Sequence, residues 1–221
     1  SYQSVLREAE ALYLEGGDSL KRALRMFEVE WENTRMGQSW VAAQYLVSDT
    51  IARLANAYPD SGSNLLDLRV GAWERIRWLE DALRASTCLM DREMELRHLG
   101  SLGQAHADLY EIARAVELYE KALVLARDLG NRRSAGITCG KLGTAYYVKG
   151  EIPKAIEYYQ IALSVSREFG DARGESNMLG NLGLACAALG QYEVAIKFFH
   201  GQQRLAHQIP DNRGEGNALN N

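Results

Sequence analysis

The side chains best able to do chemistry in this sequence are three cysteines, four histidines, one Gly-Lys pair and scattered carboxylates. A nucleotide site would use Gly140 and Lys141 to end a phosphate-cradling loop. That motif needs a glycine five residues before its second glycine and a Ser or Thr after the lysine. Ala135 and Leu142 stand there instead, so the cradle lacks its flexible start and its magnesium ligand. A metal site would draw on His98, His106, His200 and His207 or on Cys88, Cys139 and Cys186, but no spacing among them supplies a third ligand. The carboxylates Glu8, Glu10, Glu28, Glu30, Glu93, Glu95, Glu117 and Glu120 sit among basic residues, the usual pattern of a solvated face. No serine or cysteine has a base and an orienting group in a recognisable arrangement. The sequence therefore offers no catalytic residue, metal or cofactor, and its chemistry is that of recognition.

The elements that must position recognition residues come from a repeat. Gly100, Gly140 and Gly180 lie forty residues apart, and so do Leu102-Gly103, Leu142-Gly143 and Leu182-Gly183. Ala115, Ala155 and Ala195 keep the same step, as do Tyr119, Tyr159 and Phe199. A fixed period of this size marks stacked units that bury their apolar faces against copies of themselves. Within residues 131–170, Ile137, Cys139, Leu142, Ala145, Tyr146 and Tyr147 form one helical stripe. Ile152, Ala155, Ile156, Tyr159, Ala162, Leu163 and Val165 form a second. Gly150 is suited to the left-handed residue just past the first helix, and Pro153 fits the first turn of the second. Gly130 and Gly170 close the second helices, and Asn131, Asp171 and Asp211 are the expected N-caps of the next ones. Gly143 and Ala155 have almost no side chain, so two backbones can approach where they face each other. Leu142 and Tyr159 fill the space beside them.

These spacings resemble the tetratricopeptide repeat, whose pattern runs Trp, two residues, Leu-Gly, two residues, Tyr, then Ala, three residues, Phe. Cys139, Leu142-Gly143, Tyr146, Ala155, Tyr159 and Ala162 match it at those separations. Leu99, Leu102-Gly103, His106, Ala115, Tyr119 and Ala122 match one period earlier. Leu179, Leu182-Gly183, Cys186, Ala195 and Phe199 match one period later, before Gln202 departs from the small residue expected. Arg127, Arg167 and His207 replace the closing proline, so the second helix can run on and stretch the period beyond the usual residues, about 34. The period alone would also suit armadillo-like or propeller repeats. Paired helices without strand alternation exclude the propeller, and the Leu-Gly, Ala and aromatic set favours the tetratricopeptide reading.

The fold expected is all-α, a right-handed superhelical solenoid of antiparallel helix pairs preceded by a helical non-consensus segment. Residues 1–58 read as three helices. The first carries Val5, Leu6, Ala9, Leu12 and Tyr13, the second is capped by Asp18, and a third spans about Gln38 to Tyr58. Pro59 opens a loop to Ser63, and residues 59–90 form a degenerate repeat in which Trp78, Leu79, Ala82 and Leu83 match but Arg75 replaces the small alanine. Repeats follow at 91–130, 131–170 and 171–210, with the start of a truncated fourth at 211–221. The half-built last repeat and the absence of a starting Met suggest a piece of a longer array.

Composition bounds the partners. A net charge of -4 gives no basic patch for nucleic acid or an anionic membrane. No apolar run nears the roughly eighteen residues of a membrane span. With 47% hydrophobic and 24% charged residues the chain has the make-up of an ordinary folded protein. Cys139 and Cys186 fall at small apolar helix positions, where buried thiols are expected, and a reducing, cytoplasmic setting follows.

The resemblance implies a binding surface. In tetratricopeptide arrays the first helices line a concave groove that grips a peptide. Here that face holds Arg97, Gln104 and Asp108, then Ile137, Lys141, Thr144 and Tyr147, then Asn177, Asn181 and Leu184, with Asn217 and Asn221 continuing the column. Asparagine offers both donor and acceptor to a peptide backbone, and Tyr147 could pack a partner's apolar side chain. The order of pieces over residues 1–90 resembles the junction before forty-residue repeats in bacterial signal-transduction ATPases of the NB-ARC type. In that family the array senses a ligand and inhibits its own nucleotide-binding module. The repeats from Asp91 onward equally resemble Pins-type adaptors and kinesin light chains. Two functions are therefore expected to compete: the non-catalytic, protein-binding or ligand-sensing segment of a larger signalling ATPase, in touch with other domains of its parent, and a stand-alone adaptor for a linear peptide.

Overall fold

The computed structural model describes residues 2–62, 64–66 and 70–208, except the side chains of His207 and Gln208. The expected cap Asp211 and the column residues Asn217 and Asn221 lie outside the described residues. All the regular structure among the described residues is helical: α1 Tyr2–Glu15, α2 Gly17–Gln44, α3 Asp49–Ala57, α4 Ala72–Cys88, α5 Arg92–Asp108, α6 Ile112–Asp128, α7 Arg132–Val148, α8 Ile152–Glu168, α9 Ala172–Ala188 and α10 Tyr192–Gln208. The chain divides into two compact units, residues 1–105 and 106–221, with the division inside α5.

In the first unit, α2 buries Ala23, Phe27, Thr34, Gln38 and Val41. Trp31 stacks between Phe27 and Trp78, and Tyr58 meets the edge of Trp78. Gln38 Nε2 donates to Asp81 Oδ2 at 3.0 Å, tying α2 to α4 inside the core. Arg75, where later repeats carry alanine, donates instead to the Pro59 carbonyl at 3.0 Å.

The helices of this unit depart from the expected bounds and caps at two places. The helix expected from Gln38 to Tyr58 is split, because the stripe through Phe27, Thr34, Gln38 and Val41 stays in register and carries α2 on to Gln44. A turn follows, in which the Val47 N–H bonds to the Gln44 carbonyl, and α3 starts afresh where Ser48 accepts from the Ile51 N–H. Asp18 is not the cap of α2: Gly16 holds that place with φ +71°, and Asp18 lies in the first turn, where its charge suits the helix dipole.

The second unit packs α6 to α10 around one core that includes Tyr119, Cys139, Leu142, Tyr146, Ala155, Tyr159, Leu179 and Leu182. Its helices are cut to seventeen residues by the same pair of devices. Gly130, Gly150, Gly170 and Gly190 all take a left-handed φ. At each such turn two N–H groups reach back to the preceding carbonyls, as Gly150 does to Tyr147 and Glu151 to Tyr146. Asn131 and Asp171 then cap α7 and α9 by accepting from the Ser134 and Gly174 N–H groups. Pro153 sits in the first turn of α8. Tyr110 performs the left-handed turn with φ +60° although it is not glycine.

The seam glycines sit where a neighbouring ring leaves no room for a side chain. Gly143 faces the Tyr159 ring so closely that an added Cβ would lie 2.5 Å from Cδ1. Gly183 meets Phe199 in the same way. Leu142, Leu182 and Ala155 are fully buried, and Ala195 nearly so. Leu102, Gly103, Ala115 and Tyr119 are buried as well. Gln202, larger than the residue its register expects, lies over Gly180, whose missing side chain makes the room.

Candidate peptide-binding surface on the first helices

Within the second unit, α7 and α9 each carry one stripe that is turned away from the seam and left open. On α7 the stripe runs Ile137, Lys141, Thr144 and Val148; on α9 it runs Asn177, Asn181, Leu184 and Ala188. Both follow the three-and-four spacing of a single helix face. Ile137 and Val148 are 56% and 53% exposed, and Leu184 is 41% exposed, next to a core where other large aliphatics are covered. Asn177 is exposed and Asn181 half-buried. The surface thus alternates apolar patches with amide groups able to donate and accept.

Lys141 is the one cation in the stripe, and it is held down rather than extended. Its ammonium lies 5.6 Å from the centre of the Tyr119 ring, a cation–π distance. Burial lowers its pKa, and nearby Asp108 works in the opposite direction. Burial likewise pushes the Tyr119 phenol well above its ordinary value. Lys141 therefore offers a charge within a partly dry surface, where an incoming carboxylate would feel it more strongly than at an exposed lysine.

The remaining expected site residues divide. Thr144 is exposed, yet its hydroxyl donates to the Gly140 carbonyl at 3.2 Å and accepts from the Tyr159 hydroxyl at 3.3 Å. It braces the seam more than it reaches outward. Tyr147 is half-buried and packs against the core from the shoulder of the stripe. Arg97 and Gln104 are exposed on the part of α5 that belongs to the first unit, where Arg97 pairs with Asp60 at 3.2 Å. The structure thus brings together Lys141, Thr144 and Ile137 on one face and Asn177, Asn181 and Leu184 on the other. Val148 was missed by the sequence reading, although its place four residues after Thr144 was available to find it.

The groups considered for chemistry are accounted for. Gly140 and Lys141 lie inside α7, so no strand-to-helix phosphate loop exists there. Cys139 and Cys186 are buried and their thiols are pushed up by burial, which makes them poor nucleophiles. His98 Nε2 donates to Asn56 Oδ1, 2.6 Å away, and His106 Nδ1 meets Glu111 Oε2 at 2.5 Å. Among the described residues no three or more His, Cys, Asp and Glu side chains gather as a metal site. No described helix is long and apolar enough to cross a membrane.

Comparison with known proteins agrees with this geometry. Residues 133–200 match the tetratricopeptide repeat family model. Among solved structures, RapI in its apo form superposes with a TM-score of 0.68 at 15% identity, over 98% of this chain and 67% of that one. BtubC from P. vanneervenii gives 0.63 at 17% identity, over 94% of this chain and 89% of that one. A signal transduction ATPase with numerous domains, carrying a tetratricopeptide repeat sensor, from Pyrococcus horikoshii gives 0.62 at 14% identity, over 92% of this chain and 38% of that one. No curated relative matches the sequence. The described residues form an all-α chain, and residues 133–200 carry the tetratricopeptide repeat.

Proposed function

We propose that the face formed by α7 and α9 captures a peptide segment of a partner protein, and that the chain is the ligand-sensing part of a larger signalling ATPase. The observation that carries the binding reading is the open stripe itself: Ile137, Val148 and Leu184 stand exposed beside Asn177 and Asn181. Apolar side chains of an extended peptide would cover the three aliphatics. The two asparagines would take up its backbone amides and carbonyls, and the recessed Lys141 would receive a carboxylate. The partner is a protein or peptide; the net charge of -4 argues against nucleic acid and anionic membranes. The buried thiols of Cys139 and Cys186 suit a reducing, cytoplasmic setting.

The sensor reading draws support from the Pyrococcus ATPase, where a comparable array is described as a sensor and the chain corresponds to 38% of the whole. Ligand capture would then shift the balance between closed and open states of the parent by its preference for one of them. A stand-alone adaptor draws support from a different observation: the chain matches 89% of the solved BtubC chain, against 38% of the ATPase. Selection of a peptide-display library against the chain tests the binding reading. Binders lost on Ile137→Glu and on Asn181→Ala support it, and binders indifferent to both refute it. Ligand-stimulated ATP hydrolysis by the parent polypeptide distinguishes sensor from adaptor.

A further inference from the structure

The long helix α2 carries a second stripe that the fold of its own unit leaves uncovered. Its inner stripe, through Phe27, Thr34, Gln38 and Val41, is buried. On the opposite face, Val29, Asn33, Met36, Trp40, Ala43 and Val47 succeed one another at steps of four and three residues, and every one is exposed. Val29 is 76%, Met36 69% and Trp40 51% exposed. Alternating steps of four and three make a heptad seam, the pattern by which one helix meets another along its length. The turn after Gln44, closed by the Val47 N–H, carries the stripe to its last member.

We infer that this seam is the interface for a second copy of the chain, with the two α2 helices antiparallel about a two-fold axis. In a two-fold interface each contact occurs twice, with residue i meeting j and j meeting i. In an antiparallel helix pair the two kinds of seam position face each other. Aligned in this way, the stripe matches itself throughout: Val29 meets Val47 of the second copy, Asn33 meets Ala43, and Met36 meets Trp40. The sizes agree. The largest ring opposes the flexible thioether of Met36, a favourable sulfur–aromatic contact. The small Ala43 leaves room for Asn33, whose amide is already bonded to Glu30 on its own helix at 2.9 Å.

The size of the contact decides its strength. Val29 to Val47 spans about 27 Å of a helix about 10 Å wide. With both copies counted, a seam of that length covers on the order of 1,000 Å² of accessible surface, near the lower bound for a specific interface. The dimer is therefore reversible, forming as concentration rises into the range of weak association.

Sedimentation of the intact chain over a concentration series tests this. The expected result is a doubling of mass with concentration, and a shift of the dissociation constant by at least about tenfold in Trp40→Glu. Because Trp40 is exposed, helical content by circular dichroism should stay unchanged. Cross-linking fixes the direction. In a Cys88→Ser background, the double variant Asn33→Cys with Ala43→Cys should form disulfide-linked dimers while neither single variant does. A monomer at all concentrations, a dimer indifferent to Trp40→Glu, or cross-linking by either single variant would overturn the proposal.

Discussion

Gly143 lies flat against the ring of Tyr159, close enough that even a methyl group would stand 2.5 Å from Cδ1. Tyr159 is almost fully buried, and its hydroxyl bonds to Thr144, the residue following that glycine. The ring cannot swing away without giving up both its burial and that bond. Gly143→Ala should therefore lose about 1–3 kcal/mol of unfolding free energy by overpacking, despite alanine's better helix propensity. Gly183→Ala should lose less, because Phe199 is only half-buried and has somewhere to go. Urea unfolding of the two variants checks the order.

Tyr110 occupies a left-handed turn with φ +60° and 85% of its surface exposed. A side chain in that conformation is strained by roughly 1–2 kcal/mol, and at 85% exposure little buried surface depends on it. Tyr110→Gly should stabilise by about 0.5–1 kcal/mol after the glycine's extra chain entropy is subtracted. Thermal unfolding should show a higher midpoint.

Gln202 is buried over Gly180, and its Oε1 has no hydrogen-bond partner among the described residues. Desolvating an unpaired carbonyl costs about 1–3 kcal/mol, so Gln202→Met, which keeps the volume, should stabilise by about 1 kcal/mol. Gln202→Ala should do the reverse by opening a cavity. Paired urea titrations separate the two effects.

His98 is fully buried, and burial lowers its pKa below the ordinary imidazole value. A group whose folded pKa is depressed supports the fold above its unfolded pKa, about 6.5, and that support is lost as pH falls toward the folded value. Unfolding free energy should therefore drop below about pH 6.5, with a slope from this group of at most about 1.4 kcal/mol per pH unit. Replacing His98 with Gln, which cannot titrate, should remove that slope while leaving any carboxylate contribution at lower pH.

Much of this architecture was legible because packing forces it into a period. Leu142, Gly143, Ala155 and Tyr159 can stack on copies of themselves only if the same small and large residues recur, and they recur at forty residues. Residues 1–58, at the start of the first unit, have no copy to be compared with. Its break at Ser48 depends on one side-chain cap inside an otherwise helical stretch, which periodicity does not register. Arg97 is exposed as its spacing predicts, and its ion pair with Asp60, 37 positions away, could not be read from that spacing. Thr144 is exposed on the expected face, and only its hydroxyl's bond to the carbonyl four residues earlier was not legible. Side-chain bonds of that kind follow from the assembled fold and leave no mark on spacing.

The most direct measurement is the affinity of a display-selected peptide for the intact chain by calorimetry, compared with the variant carrying Ile137→Glu and Asn181→Ala together. Both positions lie outside the fully buried core, so the urea midpoint should move little. Affinity should fall at least about tenfold, equivalent to about 1.4 kcal/mol. An unchanged affinity with an unchanged midpoint would place the binding site elsewhere and contradict the role given to the first helices.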